Sequence, residues 1–436
     1  MKHVIIGNGP AGVVAAETLR KFDKHSEIVL IGDEAEPPYS RMAIPYFLMG
    51  NITEAGAHLR KKDGHFVENG IRLVKGRAMR VAAASHEVEL EGGERLRYDR
   101  LLIASGSHPV RPPVAGMNLP GVHTCWTLAD AREIVAKAKP GARVLQLGAG
   151  FIGCIIMEAL AARGVKLTVV EMGDRMVPRM MTEKAGAMIR HWVEKKGVAV
   201  HVNARVDAIE VGGGKGLLGK VVGLVTGGGG SAGAMRVKLS NGQTLEADLV
   251  ICAAGVKPNI GFLAGSGVEV GQGIRVDAGM QTSVPGIYAA GDVTEAAGFH
   301  SGSPQLNAIQ PNAADQARVA AANMAGRPTA AQGSLAINVL DTLGLISTSF
   351  GQWWGVSKAE GGDCVELADE ANGRYLSLQF KDDILIGATS VGWTDHVGAL
   401  RGLVQGRVRL GAWKARLLHD PTQFMAAYLG AAQKAA

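Results

Sequence analysis

The chain has 436 residues, 47% apolar and 20% charged, with a formal net charge of +6. That is globular composition, too long for one core and suited to two or three domains of roughly 100–200 residues. Its apolar stretches are broken by glycine or charge before the ~18–20 residues of a membrane span, so neither a membrane nor a nucleic acid is expected as a partner. The opening Met1-Lys2-His3-Val4-Ile5-Ile6 reads as a strand entering a glycine turn, without the apolar region and cleavage site of a signal peptide, and a cytoplasmic protein is expected. Glycine is abundant, 60 residues, against a usual share of ~7%. Much of it lies in tight turns beside apolar runs, the pattern of a chain turning close to ligands.

In chain order, Val4–Ile6, a glycine turn, an alanine-rich helix to about Phe22 and Glu27–Ile31 predict a β-α-β unit. Val144–Leu147, a second glycine turn, Phe151–Arg163 and Leu167–Val170 predict a second. Leu101–Gly106 reads as a buried strand ending in small residues, and Leu249–Gly255 matches it. The Gly-rich segment 212–230 predicts a hairpin meander with a strand at Val221–Val225, closed by the Asn241-Gly242 turn. Beyond Gly326 the pattern changes. Tyr375–Phe380 and Ile384–Ala388 flank a hairpin turn, and helices follow near Asp395–Gln405 and Asp420–Leu429.

The first turn is Gly7-Asn8-Gly9-Pro10-Ala11-Gly12, between strand and helix. In such a turn the first glycine permits the bend, the second admits a pyrophosphate, and the third lets helix and strand pack closely. The helix N-terminus then faces the phosphates. Asp33 and Glu34, after the second strand, are candidate acceptors from ribose hydroxyls. The second turn is Gly148-Ala149-Gly150-Phe151-Ile152-Gly153, with Glu171 closing the next strand. A carboxylate there accepts from the 2′-hydroxyl of NAD and disfavours a 2′-phosphate. Arg175, just beyond, would soften that preference.

Two such turns imply two dinucleotides. Two nicotinamides have no chemical use together, whereas a flavin and a nicotinamide do: one hydride in, single electrons out.

With Ala104-Ser105-Gly106, Ala254-Gly255-Val256-Lys257-Pro258-Asn259 and Ile287-Tyr288-Ala289-Ala290-Gly291-Asp292 in the same order, the chain resembles, nearly end to end, the two-dinucleotide-binding-domain flavoproteins. These form the pyridine nucleotide-disulfide oxidoreductase superfamily. The resemblance implies an α/β fold: two nested Rossmann-like domains, for FAD and NAD, plus a C-terminal α+β domain. The expected FAD domain is discontinuous, residues 1–115 and 245–330. The NAD(H) domain is expected at 116–244 and a C-terminal interface domain at 331–436. FAD is implied at Gly7, Gly9, Pro10, Ala11, Gly12, Asp33, Glu34, Arg41, Ala78, Ala104, Ser105, Gly106, Gly291, Asp292 and Gln316. NAD(H), as substrate, is implied at Gly148, Gly150, Phe151, Ile152, Gly153, Glu171 and Gly255. Asp292 corresponds to the residue that holds the ribityl chain. Arg41, in Pro38-Tyr39-Ser40-Arg41, would lie near the FAD pyrophosphate. Ala78 would meet the adenine through its backbone. Gln316-Ala317 lies on the helix that points at the flavin ring.

Three departures narrow the chemistry. The chain has no CxxC or CxxxxC. Met42 stands before Ala43-Ile44-Pro45-Tyr46, where peroxidase- and oxidase-type members have cysteine, and a thioether forms no thiolate. Ile155 replaces a glutamate common after the second turn, and Glu158, one helical turn on, is expected to pack or pair on the helix. Cys125, Cys154, Cys252 and Cys364 are expected to be buried apolar residues, and no metal site is expected.

Hydride transfer itself demands no acid or base, so no catalytic side chain is assigned. His300 is a loop residue within range of the flavin edge, more in keeping with surface. Trp353 and Trp354 are expected in the C-terminal core or a subunit contact. The opening through Met49-Gly50-Asn51-Ile52 and the tail are most similar to NAD(H)-dependent FAD subunits of multisubunit oxidoreductases: tungsten aldehyde oxidoreductase, phenylglyoxylate dehydrogenase and carbon-monoxide-dehydrogenase-associated NADH oxidoreductase. An Fe–S protein or subunit is the implied partner, in a homodimer or a hetero-complex. The basic tail (Arg401, Arg407, Arg409, Lys414, Arg416 and Lys434 against Asp420) suits an acidic one, with Arg407 and Arg409 as docking candidates. The alternatives are a stand-alone NADH oxidase or diaphorase using oxygen or quinone, and a flavin-bearing docking subunit without turnover.

Overall fold

The computed structural model describes residues 1–212 and 234–432; the expected strand Val221–Val225 lies outside them. Two five-stranded parallel sheets form the first three-quarters of the molecule. The first has the order Ile287–Ala289, Arg100–Ile103, Lys2–Ile6, Glu27–Gly32, Ile71–Lys75. The second has the order Val122–Thr124, Leu249–Cys252, Arg143–Leu147, Lys166–Val170, Ala199–His201. The two orders correspond strand for strand. In each, the strand before the glycine turn is central, and the chain leaves it in opposite directions on its two sides. This is the switch point where α/β sheets leave a crevice for ligands.

The expected boundary at residue 245 requires correction. Leu249–Cys252 pairs in register with Val144–Leu147, so it completes the second sheet. The reason lies in its match to Leu101–Gly106: each of the two closes its own unit beside that unit's glycine strand.

The helix after the first turn, Pro10–Phe22, packs on Gln310–Met324. Both bury alanines at the contact, among them Ala11, Ala15, Ala16, Ala313, Ala317, Ala320 and Ala321. Small residues at a crossing bring the axes close, and this seats the segment containing Gly291 against the first turn.

The C-terminal region is a five-stranded antiparallel sheet in the order Ile337–Thr342, Leu345–Gly351, Ile384–Val391, Arg374–Lys381, Gly362–Asp369. The expected hairpin is its centre, with Lys381 opposite Ile384. Helices Val397–Gln405, Ala412–His419 and Phe424–Ala432 cover one face around Leu376, Leu378, Phe380, Leu400 and Phe424. The middle helix is unanticipated. It breaks the expected tail into three short pieces. From the other face, Leu340, Leu345, Tyr375 and Val391 join the core of the second unit. No helix among the described residues is long and apolar enough to cross a membrane.

Candidate functional site: two glycine turns

The backbones of the two turns are near copies. Gly7 has φ +105° and Gly148 φ +95°, values L side chains rarely adopt. A Cβ on either would strike the end of the adjoining strand, at the Ala104 or the Ala253 carbonyl oxygen. Gly12 and Gly153 lie against the carbonyls of Gly7 and Gly148, which holds each helix tight to its turn. Gly9 and Gly150 differ from these: a Cβ there would meet no atom within 4 Å, and their φ, −74° and −72°, suits any residue. No described residue requires glycine at these two positions. The open space above each turn is where a pyrophosphate would approach. Each is also an N-cap without a side-chain bond, so the helix N–H groups stay free for an anion. By contrast, Thr127 and Thr182 cap their own helices.

Around the first turn the structure gathers segments far apart in sequence. Gly291 (φ +87°) lies against Ala11 and Ala313. Asp292 accepts a 2.9 Å bond from the Ser107 hydroxyl. Burial raises its carboxyl above the usual range, against the pull of the Ser107 bond and the Arg41 charge. Gln316 turns out to serve the loop. Its Oε1 accepts from Gly291 N (2.8 Å) and the Thr294 hydroxyl (2.9 Å), and its Nε2 donates to Ser334 (3.1 Å). Ala104, Ser105 and Gly106 are pinned by Asn259, whose amide donates to the Ser105 carbonyl (2.8 Å) while its carbonyl accepts from the Ser105 hydroxyl (2.9 Å). Ala78 opens a strand beyond Gly76, whose N–H donates to the Gly32 carbonyl. That places Ala78 near the acidic end of the second strand.

The two candidate acids there differ. Asp33 is exposed, with no side-chain partner among the described residues. Glu34 accepts from Tyr39 (2.6 Å) and from Arg41 (2.6 Å). Arg41 also donates to the Tyr39 hydroxyl (2.8 Å) and the Trp126 carbonyl (2.7 Å), and its guanidinium lies 5.3 Å from the Trp126 ring. Trp126 escaped the sequence reading. A lone tryptophan between a strand and a helix carries no periodic or spacing signal, and only its contacts reveal it.

At the second turn, Glu171 accepts from Ala149 N (2.6 Å) and Gly173 N (2.7 Å). One carboxylate oxygen is thus held on the turn and the other on the segment after the strand. Arg175 is directed elsewhere, to Asp174 (2.8 Å) and the carbonyls of Met181 and Pro178. Phe151 and Ile152 are half-buried against the core that includes Ile44 and Leu48, and Gly255 (φ +105°) is open above. Val177, also missed, holds a strained φ of +48° while fully buried, and its N–H donates to Ala149 O at 2.8 Å. Glu158 bonds neither on its own helix nor near the turn: it accepts from the Leu343 N–H and so ties the second unit to the C-terminal sheet.

Other expectations shift. Cys125, Cys154 and Cys252 are buried, and burial raises the Cys125 and Cys154 thiols to about 12, but Cys364 is exposed on an edge strand. Met42 is 49% exposed on the turn Arg41–Ala43. His300 packs against Phe299 beside Arg407, and burial lowers its imidazole to about 4. Arg407 is held against Phe299, over its ring and on its carbonyl, so Arg409 is the freer of the two docking candidates. Trp354 is 57% exposed and meets Trp353 edge-on, which places it outside the core, the first of the two expected locations. No group of three or more His, Cys, Asp or Glu among the described residues could hold a metal ion.

A family model of pyridine nucleotide-disulphide oxidoreductases matches residues 1–323. The chain belongs to that family. It is an oxidoreductase of a kind that uses FAD and NAD(P)H. It is 31% identical to the NADH-dependent phenylglyoxylate dehydrogenase subunit epsilon of Aromatoleum evansii, covering 96% of this chain and 95% of that one. It is 32% identical to an NADH oxidase of Methanocaldococcus jannaschii, over 75% of this chain and 70% of the other. Its fold superposes on putidaredoxin reductase in a covalent complex with putidaredoxin, with a TM-score of 0.84 at 24% identity over 98% of both chains.

Proposed function

We propose that this chain carries FAD at the first turn, takes NAD(H) at the second, and passes electrons between NAD(H) and a one-electron Fe–S protein or subunit. It would be the NAD-linked flavin subunit of a larger oxidoreductase. The observation that carries the reading is the pair of open glycine turns, each ending in a carboxylate, with a thioether at the position of the family's thiol. Bound FAD would supply the two-electron-to-one-electron conversion. The protein's part is to hold and orient. Gly7, Gly9, Pro10, Ala11, Gly12 and the helix N-terminus would take the FAD pyrophosphate. Asp33 and Glu34 would take its ribose, Asp292 its ribityl hydroxyls, and Ala78 its adenine. Arg41 and the Ala104–Gly106 turn would line the site, with Gln316 bracing the Gly291 loop. Gly148, Gly150, Phe151, Ile152 and Gly153 would take the NAD pyrophosphate and Glu171 its ribose, with Gly255 leaving room opposite.

Because Arg175 is committed to Asp174 and backbone carbonyls, and no cation among the described residues pairs with Glu171, its repulsion of a 2′-phosphate supports NADH over NADPH. The exposed Arg409 and the tail arginines favour an acidic partner. The likeness to phenylglyoxylate dehydrogenase subunit epsilon supports a place in a complex. The likeness to an NADH oxidase supports the second reading, a stand-alone oxidase.

Anaerobic NADH should bleach the yellow protein, and an oxidised ferredoxin or a clostridial-type Fe–S subunit should restore the colour far faster than air does. A colourless chain after reconstitution with FAD sinks the proposal. Reoxidation by oxygen as fast as by any Fe–S protein selects the oxidase reading.

A further inference from the structure

Trp126 lies in the second unit, on the loop between the strand Val122–Thr124 of its sheet and the helix Leu128–Lys137. The loop is fixed. Asp130 Oδ2 accepts from Trp126 N (3.0 Å), Thr127 N (3.1 Å) and the Thr124 hydroxyl (3.0 Å). From this anchored position the residue touches both walls of the first site. Its carbonyl accepts from Arg41 Nη1 at 2.7 Å, and its ring lies 5.3 Å from the Arg41 guanidinium carbon. On the other side its indole Nε1–H donates to the Ser107 carbonyl at 3.0 Å, and the Ser107 hydroxyl donates to Asp292 at 2.9 Å.

The donors of Arg41 indicate what this arrangement leaves over. A guanidinium has five N–H groups. Three are taken, by Tyr39, Trp126 and Glu34. The Nε–H and one Nη2–H have no partner among the described residues, and the side chain is 35% exposed. A planar fork locked on three donors and free on two is preorganised for an anion such as a phosphate. The Arg41 charge also favours the ionised Asp292 carboxyl, against its burial.

We propose that Trp126 is a positioning residue for FAD. It would lock the Arg41 fork toward the pyrophosphate and, through Ser107, hold the Asp292 wall at a matching separation. The inference rests on the FAD reading above. It makes a loop of the second unit part of the flavin site, although no glycine motif marks it.

The test is a double-mutant cycle on FAD affinity. It is measured by titrating FAD into apoprotein and following flavin fluorescence and tryptophan quenching, using wild type, Arg41→Ala, Trp126→Ala and the double variant. Trp126→Phe, which keeps a ring and loses the Nε1 donor, is added. Coupling predicts that Arg41→Ala, which removes a charge-assisted bond to the phosphate, and Trp126→Ala, which keeps the carbonyl but removes the ring beside Arg41 and the indole donor to Ser107, each weaken FAD by about tenfold. The double variant should be little worse than either, and Trp126→Phe should fall between wild type and Trp126→Ala. Losses that multiply, or Trp126 variants that bind FAD like wild type, overturn the proposal. If Trp126→Ala does not fold, the decision passes to Trp126→Phe with and without Arg41→Ala: additive losses there overturn it, and non-additive losses support it. Wild-type apoprotein that takes up no FAD overturns the underlying reading, and this inference with it.

Discussion

The two glycine turns compare closely in backbone and differ in what surrounds them. Gly7 and Gly148 share a left-handed bend, Gly9 and Gly150 the same open space, and Gly12 and Gly153 the same tight packing. The second site is built locally: Glu171 is steadied by the N–H groups of Ala149 and Gly173. The first is walled by residues from the loop at Arg41, the second unit's loop at Trp126, the strand at Ser107 and the segment at Asp292, linked by hydrogen bonds. A site enclosed by distant segments suits a resident group, and an open one suits a ligand that comes and goes. The same local motif can therefore serve a cofactor or a substrate, and tertiary contacts decide which.

The comparison can be broken most severely at the bend. Gly7→Ala and Gly148→Ala each place a Cβ against a strand carbonyl at positive φ and should cost about 2 kcal/mol or more in urea unfolding. Tolerance at one turn and not the other would end the claim of equivalent backbones. The next effect separates the ligands. Gly9→Ala should leave the apoprotein's stability within about 0.5 kcal/mol of wild type, yet reduce FAD affinity by about tenfold, or about 1.4 kcal/mol. Gly150→Ala should spare flavin content and raise the KM for NADH by a similar factor. Loss of flavin from Gly150→Ala would reverse the assignment of the two turns.

Glu171→Gln sharpens the cofactor side. It removes the charge that repels a 2′-phosphate, so kcat/KM for NADH should fall by about tenfold while that for NADPH holds or rises, for a bond to a charged group of about 1.5–3 kcal/mol. An unchanged NADH to NADPH ratio would remove Glu171 from the ribose site. The last effect appears only on changing pH and concerns the loop beyond Asp292. His300 titrates at about 4 when folded, against about 6.5 in an unfolded chain. Between these values the unfolded chain binds more protons, so stability is full above about pH 6.5 and falls as pH drops toward 4. His300→Gln should flatten thermal unfolding against pH in that window by up to about one proton. A wild-type slope persisting in the variant would show that His300 is not the group responsible.

Much of this was legible in the sequence because turn chemistry is local. Gly7–Gly12 and Gly148–Gly153 announced their bends; the first helix ends at Phe22 and the second starts at Phe151, as read. Other features were hidden. Leu249–Cys252 could be recognised as a buried strand, but its sheet is a matter of pairing, and a boundary at 245 assigned it to the wrong unit. Glu158 reads as a helix residue of the second unit, and only the fold brings Leu343 to it. Cys364 looks like the other three cysteines until its strand proves to be an edge. Trp126 and Val177 gave no signal, since their importance lies wholly in contacts.

By itself the sequence determined two β-α-β units with bends only glycine can make, acids at the strand ends and no thiol at Met42. These follow from local sterics and side-chain chemistry, which a short stretch carries whole. The tertiary structure alone decided which strands share a sheet, how Gln316 and Ser107 brace the Gly291–Asp292 loop, and that Arg41 is held by Trp126 across the junction of the units. Those depend on residues as far apart as Ser107 and Asp292, 185 positions, meeting in space, and chain spacing carries no record of such meetings.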